Sequence, residues 1–289
     1  MLTDFLISRG YQFFASGWTQ FSAAFGLSFI IMLLFGNSFI RLMHKMQGMG
    51  QPISDNVPAE HRKKAGTPSM GGVLMIIAVF VSSLLFMPMH NTTGWIALLS
   101  LLMFGLIGFA DDYKKISSQS KKASNGLSPS LRLFLEGICV LILAYLIDKT
   151  MPGYVPNLSI VLGSSIELPL NTWHLGYLLG IPITGAFIYY IFAYFVVCGS
   201  ANATNITDGL DGMLAKLYTP VLIVLAIALY GSTRTGFMDA VIFLPETVAL
   251  YSVLGAVFGA VLGFLWFNAK PAAIFMGDTG SLALGGFMG

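Results

Sequence analysis

Apolar runs long enough to cross a bilayer recur along this chain, and that recurrence leaves few folds open to it. A helix needs about 20 apolar residues to traverse a hydrocarbon core of about 30 Å. Such runs occupy about 18–40, 69–88, 94–111, 130–148, 175–198, 213–231 and 246–267, and an eighth opens at Ser281 and stops with the chain. Of the 289 residues only 10% are charged, whereas an ordinary soluble domain carries about 25%. A soluble globule, a disordered chain, a coiled coil and a collagen are all excluded. The first run is too long for a cleaved signal, and no small-residue cleavage site follows it. The expectation is an all-α, polytopic transmembrane helix bundle: one integral membrane domain over 1–289, with seven complete spans and the start of an eighth.

Basic residues orient the bundle. Twelve of the fifteen Lys and Arg fall on one set of alternate loops, at 41–68, 112–132, Lys216 and Lys270; Arg9, Lys149 and Arg234 fall on the other. The loops richer in Lys and Arg belong in the cytoplasm, which leaves the N-terminus outside. A net charge of +2 gives no case for nucleic acid. Cys139 and Cys198 lie within apolar runs without metal or disulfide spacing, and the four histidines stand singly. Gly255, Gly259 and Gly263 form a small-residue stripe suited to helix–helix contact. In the outer loop 149–174, Ile160 and Leu162 alternate with polar or small neighbours, as do Ile166, Leu168 and Leu170 beyond Gly163-Ser164. That pattern predicts a short hairpin with a two-residue turn.

Acids near a bilayer are costly, so their positions carry information. Glu136 follows Arg132 by four residues, the spacing of a helical ion pair that snorkels to the interface. Five other acids map to the inner ends of spans. Asp111 and Asp112 close the third span in Phe109-Ala-Asp-Asp-Tyr-Lys-Lys115, where the helix dipole and mutual repulsion both disfavour them. Lys115 compensates from the position four residues after Asp111. An acidic pair so placed suits a metal ion, a proton acceptor or a nucleophile. In Asn202-Ala-Thr-Asn-Ile-Thr-Asp-Gly-Leu-Asp-Gly212, Asn202, Asn205, Asp208 and Asp211 recur every third residue, neighbours on a helix face and more than one cap requires. Asp278, in Phe275-Met-Gly-Asp-Thr-Gly-Ser281, suits the cap of the eighth span, and a helix N-terminus also binds anions. Lys63, Lys64, Thr67 and Ser69 are candidate phosphate contacts in the first inner loop. The segments 66–72, 111–115, 205–212 and 268–281 are therefore expected to converge on one inner cleft.

Taken together, Gly66-Thr-Pro-Ser-Met-Gly-Gly72, Phe109-Ala-Asp-Asp-Tyr113 with Lys115, Asn205-Ile-Thr-Asp-Gly-Leu-Asp-Gly212, Phe267-Asn-Ala and Phe275-Met-Gly-Asp-Thr-Gly-Ser281 resemble the bacterial phospho-N-acetylmuramoyl-pentapeptide transferase (translocase I) family. That family lies in the polyprenyl-phosphate N-acetylhexosamine-1-phosphate transferase superfamily, and the likeness runs along essentially the whole chain. Ser69 and Ile206 stand where the family usually shows Thr and Leu.

The resemblance implies transfer of phospho-MurNAc-pentapeptide from UDP-MurNAc-pentapeptide to undecaprenyl phosphate, with UMP and lipid I as products and Mg²⁺ as cofactor. It implies a multi-pass protein of the bacterial inner membrane with its catalytic cleft on the cytoplasmic face; oligomeric state is left open, a homodimer included. By the resemblance Asp278 is the Mg²⁺ ligand, Asp111 and Asp112 activate the lipid phosphate, and Asp208 joins them as a catalytic carboxylate. Lys64, Ser69, Lys115, Asn205, Asp208, Asp211, Asn268 and Phe275 line the donor pocket, Phe275 as a stacking surface for uracil. The alternative enzyme is a polyprenyl-phosphate GlcNAc-1-phosphate transferase, against which the Gly-Thr-Pro loop argues. A transporter fits less well, because the centres of the spans are nearly free of charge. Family members have ten spans and a His-rich inner loop. Residues 281–289 rise about 13 Å as helix and carry no stop signal, so the polypeptide is expected to continue beyond Gly289.

Overall fold

In a computed structural model the chain is described at residues 2–47, 66–117, 126–150, 157–161, 165–169, 177–178, 181–182, 185–232 and 248–289. The elements are α1 (Leu2–Ser8), a 3₁₀ turn (Gln12–Ala15), α2 (Gly17–Gln47), α3 (Gly71–Phe86), α4 (Thr92–Ser117), α5 (Pro129–Thr150), strands β1 (Asn157–Val161), β2 (Ser165–Pro169), β3 (Tyr177–Leu178) and β4 (Ile181–Pro182), then α6 (Gly185–Thr207), α7 (Met213–Ser232), α8 (Val248–Asn268) and α9 (Gly277–Met288). Five of these helices, α2, α4, α5, α7 and α8, are long and apolar enough to cross a membrane, and α3 is a shorter apolar helix. The protein is a multi-pass helical bundle.

α8 is apolar on all sides and is buried along most of its length, the signature of a central helix. Its glycine stripe is a contact surface, as expected. A side chain at Gly255 or Gly259 would run into the backbone of Phe21 or Phe25 on α2, and one at Gly263 into Met32. Phe21, Phe25 and Phe29 stack along that face of α2, while Phe258 of α8 meets the first two edge-on.

Three expectations need correction. The run at 175–198 does not form one helix: short strands β3 and β4 pair across 177–182, and helix begins only at Gly185. Gly180 and Pro182 break the apolar run, since Gly weakens helix and Pro lacks the donor. The displaced helix carries Asn202 and Asn205 in its own last turns. The outer hairpin forms, but its register pairs Val161 with Ser165, leaving three residues between the strands instead of two. That register sets Ile160 opposite Ile166 and Leu158 opposite Leu168. The turn itself, Gly163-Ser164, lies outside the described residues. Finally, the eighth helix opens at Gly277 instead of Ser281, and Asp278 stands in its first turn, not at its cap.

Candidate functional site

Helix ends build the site by satisfying one another. The first N–H groups of a helix have no partner within it. At α3 those of Gly71 and Gly72 donate to the carbonyls of Phe275 and Met276, and the N–H of Phe275 donates back to Pro68. This short ladder ties 68–72 to 275–276. Met70 bends into it at φ 73, a conformation a non-glycine residue holds only when its surroundings impose it. At α9 the N–H groups of Asp278 and Thr279 donate to the Asp112 carboxylate at 3.1 and 2.9 Å, and the Thr279 hydroxyl adds a third bond at 2.7 Å. Asp112 thus caps α9 from another helix, and its charge sits at the favourable end of that helix dipole. Gly277 makes this approach feasible: at φ +76 its missing side chain leaves room for Asp112 and Ser69.

The expected convergence is present. A pocket of about 220 Å³ is lined by Ser69, Asp112, Lys115, Asp208, Asn268, Phe275 and Asp278, among others. Carboxylate oxygens of Asp111, Asp112 and Asp278 lie within 4.8 Å of one another. The Lys115 ammonium sits 2.5 Å from Asp111 and 2.9 Å from Asp278, holding positive charge between them. Asn205 donates to Asp278 at 2.9 Å and to the Ser281 hydroxyl at 2.8 Å. Asp208, in the turn beyond α6, lines the same pocket. Burial first, then the nearby charges of Asp278 and Asp112, raise its carboxyl to about 8, against a smaller opposing effect of the Gly277 N–H.

The other predicted residues divide between pocket and scaffold. The Ser69 hydroxyl is buried without a hydrogen-bond partner, while its backbone is held from both sides by the Gln47 side chain at 2.9 Å. Asn268 lines the pocket, yet its amide bridges Gly212 N–H and Ile274 carbonyl, tying the end of α8 to the turn before α7. Asp211 accepts from the Ala272 N–H at 3.3 Å and braces the same loop. The four-residue Asn/Asp stripe is not one helix face: α6 ends at Thr207, and Asp208 and Asp211 fall in the turn beyond it. Lys64 lies outside the described residues.

Arg132 and Gln47 are the participants that sequence reasoning left out. Arg132 NH1 approaches Asp278 to 3.6 Å and Asn205 to 3.4 Å, and its NH2 donates to Asn202 at 2.5 Å. Arg132 also pairs with Glu136 at 3.3 Å, as the spacing implied, but Glu136 is fully buried and does not snorkel. The signal for Arg132 was available in that pairing. For Gln47, one of several polar residues in the last turn of α2, no local pattern set it apart.

The donor set suits a hard divalent cation. It consists of carboxylate oxygens of three residues within 4.8 Å of one another. Asp112 holds three bonds to the first turn of α9, whereas Asp111 takes the Lys115 ammonium and the single N–H of Leu127. Accordingly Asp112→Ala is expected to lower the thermal midpoint in detergent more than Asp111→Ala, through loss of a cap worth roughly 0.5–2 kcal/mol. Equal or smaller destabilisation would remove the capping role.

The family model described as Glycosyl transferase family 4 matches residues 94–289, and Phospho-N-acetylmuramoyl-pentapeptide-transferase signature 1 matches residues 64–76. The chain is 42% identical over 269 residues to the phospho-N-acetylmuramoyl-pentapeptide-transferase of Ruegeria pomeroyi, and 40% identical over the same length to that of Bartonella quintana. Each alignment covers 92% of this chain and 70% of the relative.

Proposed function

We propose that this chain, which belongs to glycosyl transferase family 4 among the phospho-N-acetylmuramoyl-pentapeptide transferases, moves phospho-MurNAc-pentapeptide from its UDP-linked donor onto undecaprenyl phosphate. An oxygen of the lipid phosphate bonds to the sugar-bearing phosphorus, the bond from that phosphorus to the bridging oxygen breaks, and UMP leaves. The products are UMP and lipid I. The observation that carries this reading is one pocket at the Lys- and Arg-rich end of the bundle, where Ser69 of the signature segment meets Asp112, Asp208, Asp278 and Lys115, with Asn205 bonded to Asp278 behind it.

Each residue's role follows from what it touches. Asp278, bonded by Lys115 and Asn205, would hold Mg²⁺, with Asp111 beside it. The ion supplies charge neutralisation on the diphosphate. Asp111, whose Oδ2 is paired with Lys115 at 2.5 Å, takes the proton of the attacking phosphate, whereas Asp112 is committed to α9. Lys115 contacts phosphate oxygens and the unpartnered Ser69 hydroxyl donates to the donor; Lys64, in the signature segment, is assigned to the same phosphates by the family resemblance. Asn205 and Asp208 bind the donor on the opposite wall, and Phe275 offers its ring to uracil. Asp211 and Asn268 act by bracing the loop that carries Phe275. The membrane is the bacterial cytoplasmic membrane, with the N-terminus outside and the pocket on the cytoplasmic face, in keeping with the loop charges.

The full-length gene product in detergent, given UDP-MurNAc-pentapeptide, undecaprenyl phosphate and Mg²⁺, is expected to release UMP, and chelation by EDTA is expected to stop it. Equal release from UDP-GlcNAc would favour the GlcNAc-1-phosphate transferase instead. No Mg²⁺-dependent release from either donor would overturn the reading.

A further inference from the structure

Glu136 lies on α5 outside the pocket and is inaccessible to solvent. Its Oε1 is 3.3 Å from Arg132 Nε, and its Oε2 accepts from the Asn202 amide at 2.6 Å. The other edge of the same guanidinium faces the site, 3.6 Å from Asp278. One cation is thus shared between a carboxylate behind the pocket and a carboxylate within it, at nearly equal separations. Asn202 locks the arrangement, since its oxygen accepts from Arg132 while its nitrogen donates to Glu136. A charge as buried as Glu136 is stable only when paired, so Glu136 draws the guanidinium toward itself. Asp278 already carries the Lys115 ammonium at 2.9 Å. A second full positive partner would leave it little negative charge for a metal ion.

We propose that Glu136 is a positioning residue: it holds Arg132 back from Asp278 and so keeps the Asp278 carboxylate available to a divalent cation. The proposal rests on Asp278 as the cation ligand and concerns how that ligand is kept free. With Glu136 neutral, Asp278 is the remaining anion close to Arg132, and the guanidinium closes the gap to it.

Mn²⁺ binding to the purified full-length protein, followed by electron paramagnetic resonance, tests this without turnover. Glu136→Gln removes the charge and keeps an acceptor for Asn202. It is expected to weaken Mn²⁺ binding about tenfold, the lower end of what losing an outer-shell partner costs a metal site. Adding Arg132→Gln to Glu136→Gln is expected to restore most of the affinity, because the competing cation is then gone. A packing role for Glu136 predicts no such recovery. Unchanged Mn²⁺ affinity in Glu136→Gln, or a double variant weaker than the single, would overturn the proposal. Should Glu136→Gln fail to fold, Arg132→Gln alone decides: affinity at or above that of the unaltered protein supports the role, and weaker binding refutes it. A protein that shows this Mn²⁺ pattern yet releases no UMP would overturn the transfer reaction and leave the role of Glu136 standing. One that releases UMP but binds no Mn²⁺ would do the reverse.

Discussion

Asp278→Asn is expected to reduce UMP release by the full-length protein by roughly 10²–10⁴-fold, the range typical for loss of a charge stabiliser or general base. Both oxygens of Asp278 accept bonds from cationic or amide donors, Lys115 on one and Asn205 on the other. An asparagine offers a single carbonyl, so its amide must face one of these donors and leave it unpaired. Lys115 and Arg132 lose their shared counter-charge as well, and the proposed cation site loses one of its three carboxylates. The fold is expected to survive, because Asp112 and not Asp278 caps α9. A Mg²⁺ titration up to tens of times the normal requirement is expected not to rescue turnover. Near-normal rates in that titration would take Asp278 out of the metal role.

Gly108→Val is expected to abolish activity by a different route. α4 passes so close to the first turn of α9 that any side chain at Gly108 would overlap the backbone of Asp278 and Thr279. Backbone cannot rotate away as a flexible side chain can, so the helices must separate. Overpacking of this kind costs about 1–3 kcal/mol, occasionally more. A shift of about 1 Å in a reacting group can by itself cost 10²-fold in rate. The expected outcome is a lower thermal midpoint in detergent and at least a 10²-fold loss of UMP release, with Gly108→Ala intermediate. Gly26→Ala on α2 is the control, since a side chain there meets nothing within 4 Å. Wild-type turnover in Gly108→Val would show that the approach of α4 to α9 is not what positions Asp278.

Much was readable before any coordinates because bilayer physics acts on local sequence. An apolar run of sufficient length must satisfy its own backbone bonds and becomes helix, which accounts for the bundle and for α8 with its glycine stripe. Polar residues at the inner ends of those runs must gather where water and charge are tolerated, so 66–72, 111–115, 205–212 and 268–281 were legible as one site. The run at 175–198 failed because hydropathy alone cannot tell a helix from paired strands when Gly180 and Pro182 interrupt it.

What the sequence determined by itself was therefore the class of fold, the side of the bundle on which the chemistry lies, and the set of residue types assembled there. The division of labour among the acids was decided by tertiary structure alone. Asp111 and Asp112 are adjacent in sequence and chemically identical, yet one takes the Lys115 ammonium and the Leu127 N–H while the other caps α9 with both of its oxygens. Glu136 satisfies the same i,i+4 rule as any surface pair, yet it is buried and linked through Arg132 to Asp278. Spacing along one helix sets which face a residue occupies, but its charge state and partners depend on which helix end arrives opposite. That is settled only when orphaned N–H groups and buried charges on different segments satisfy one another.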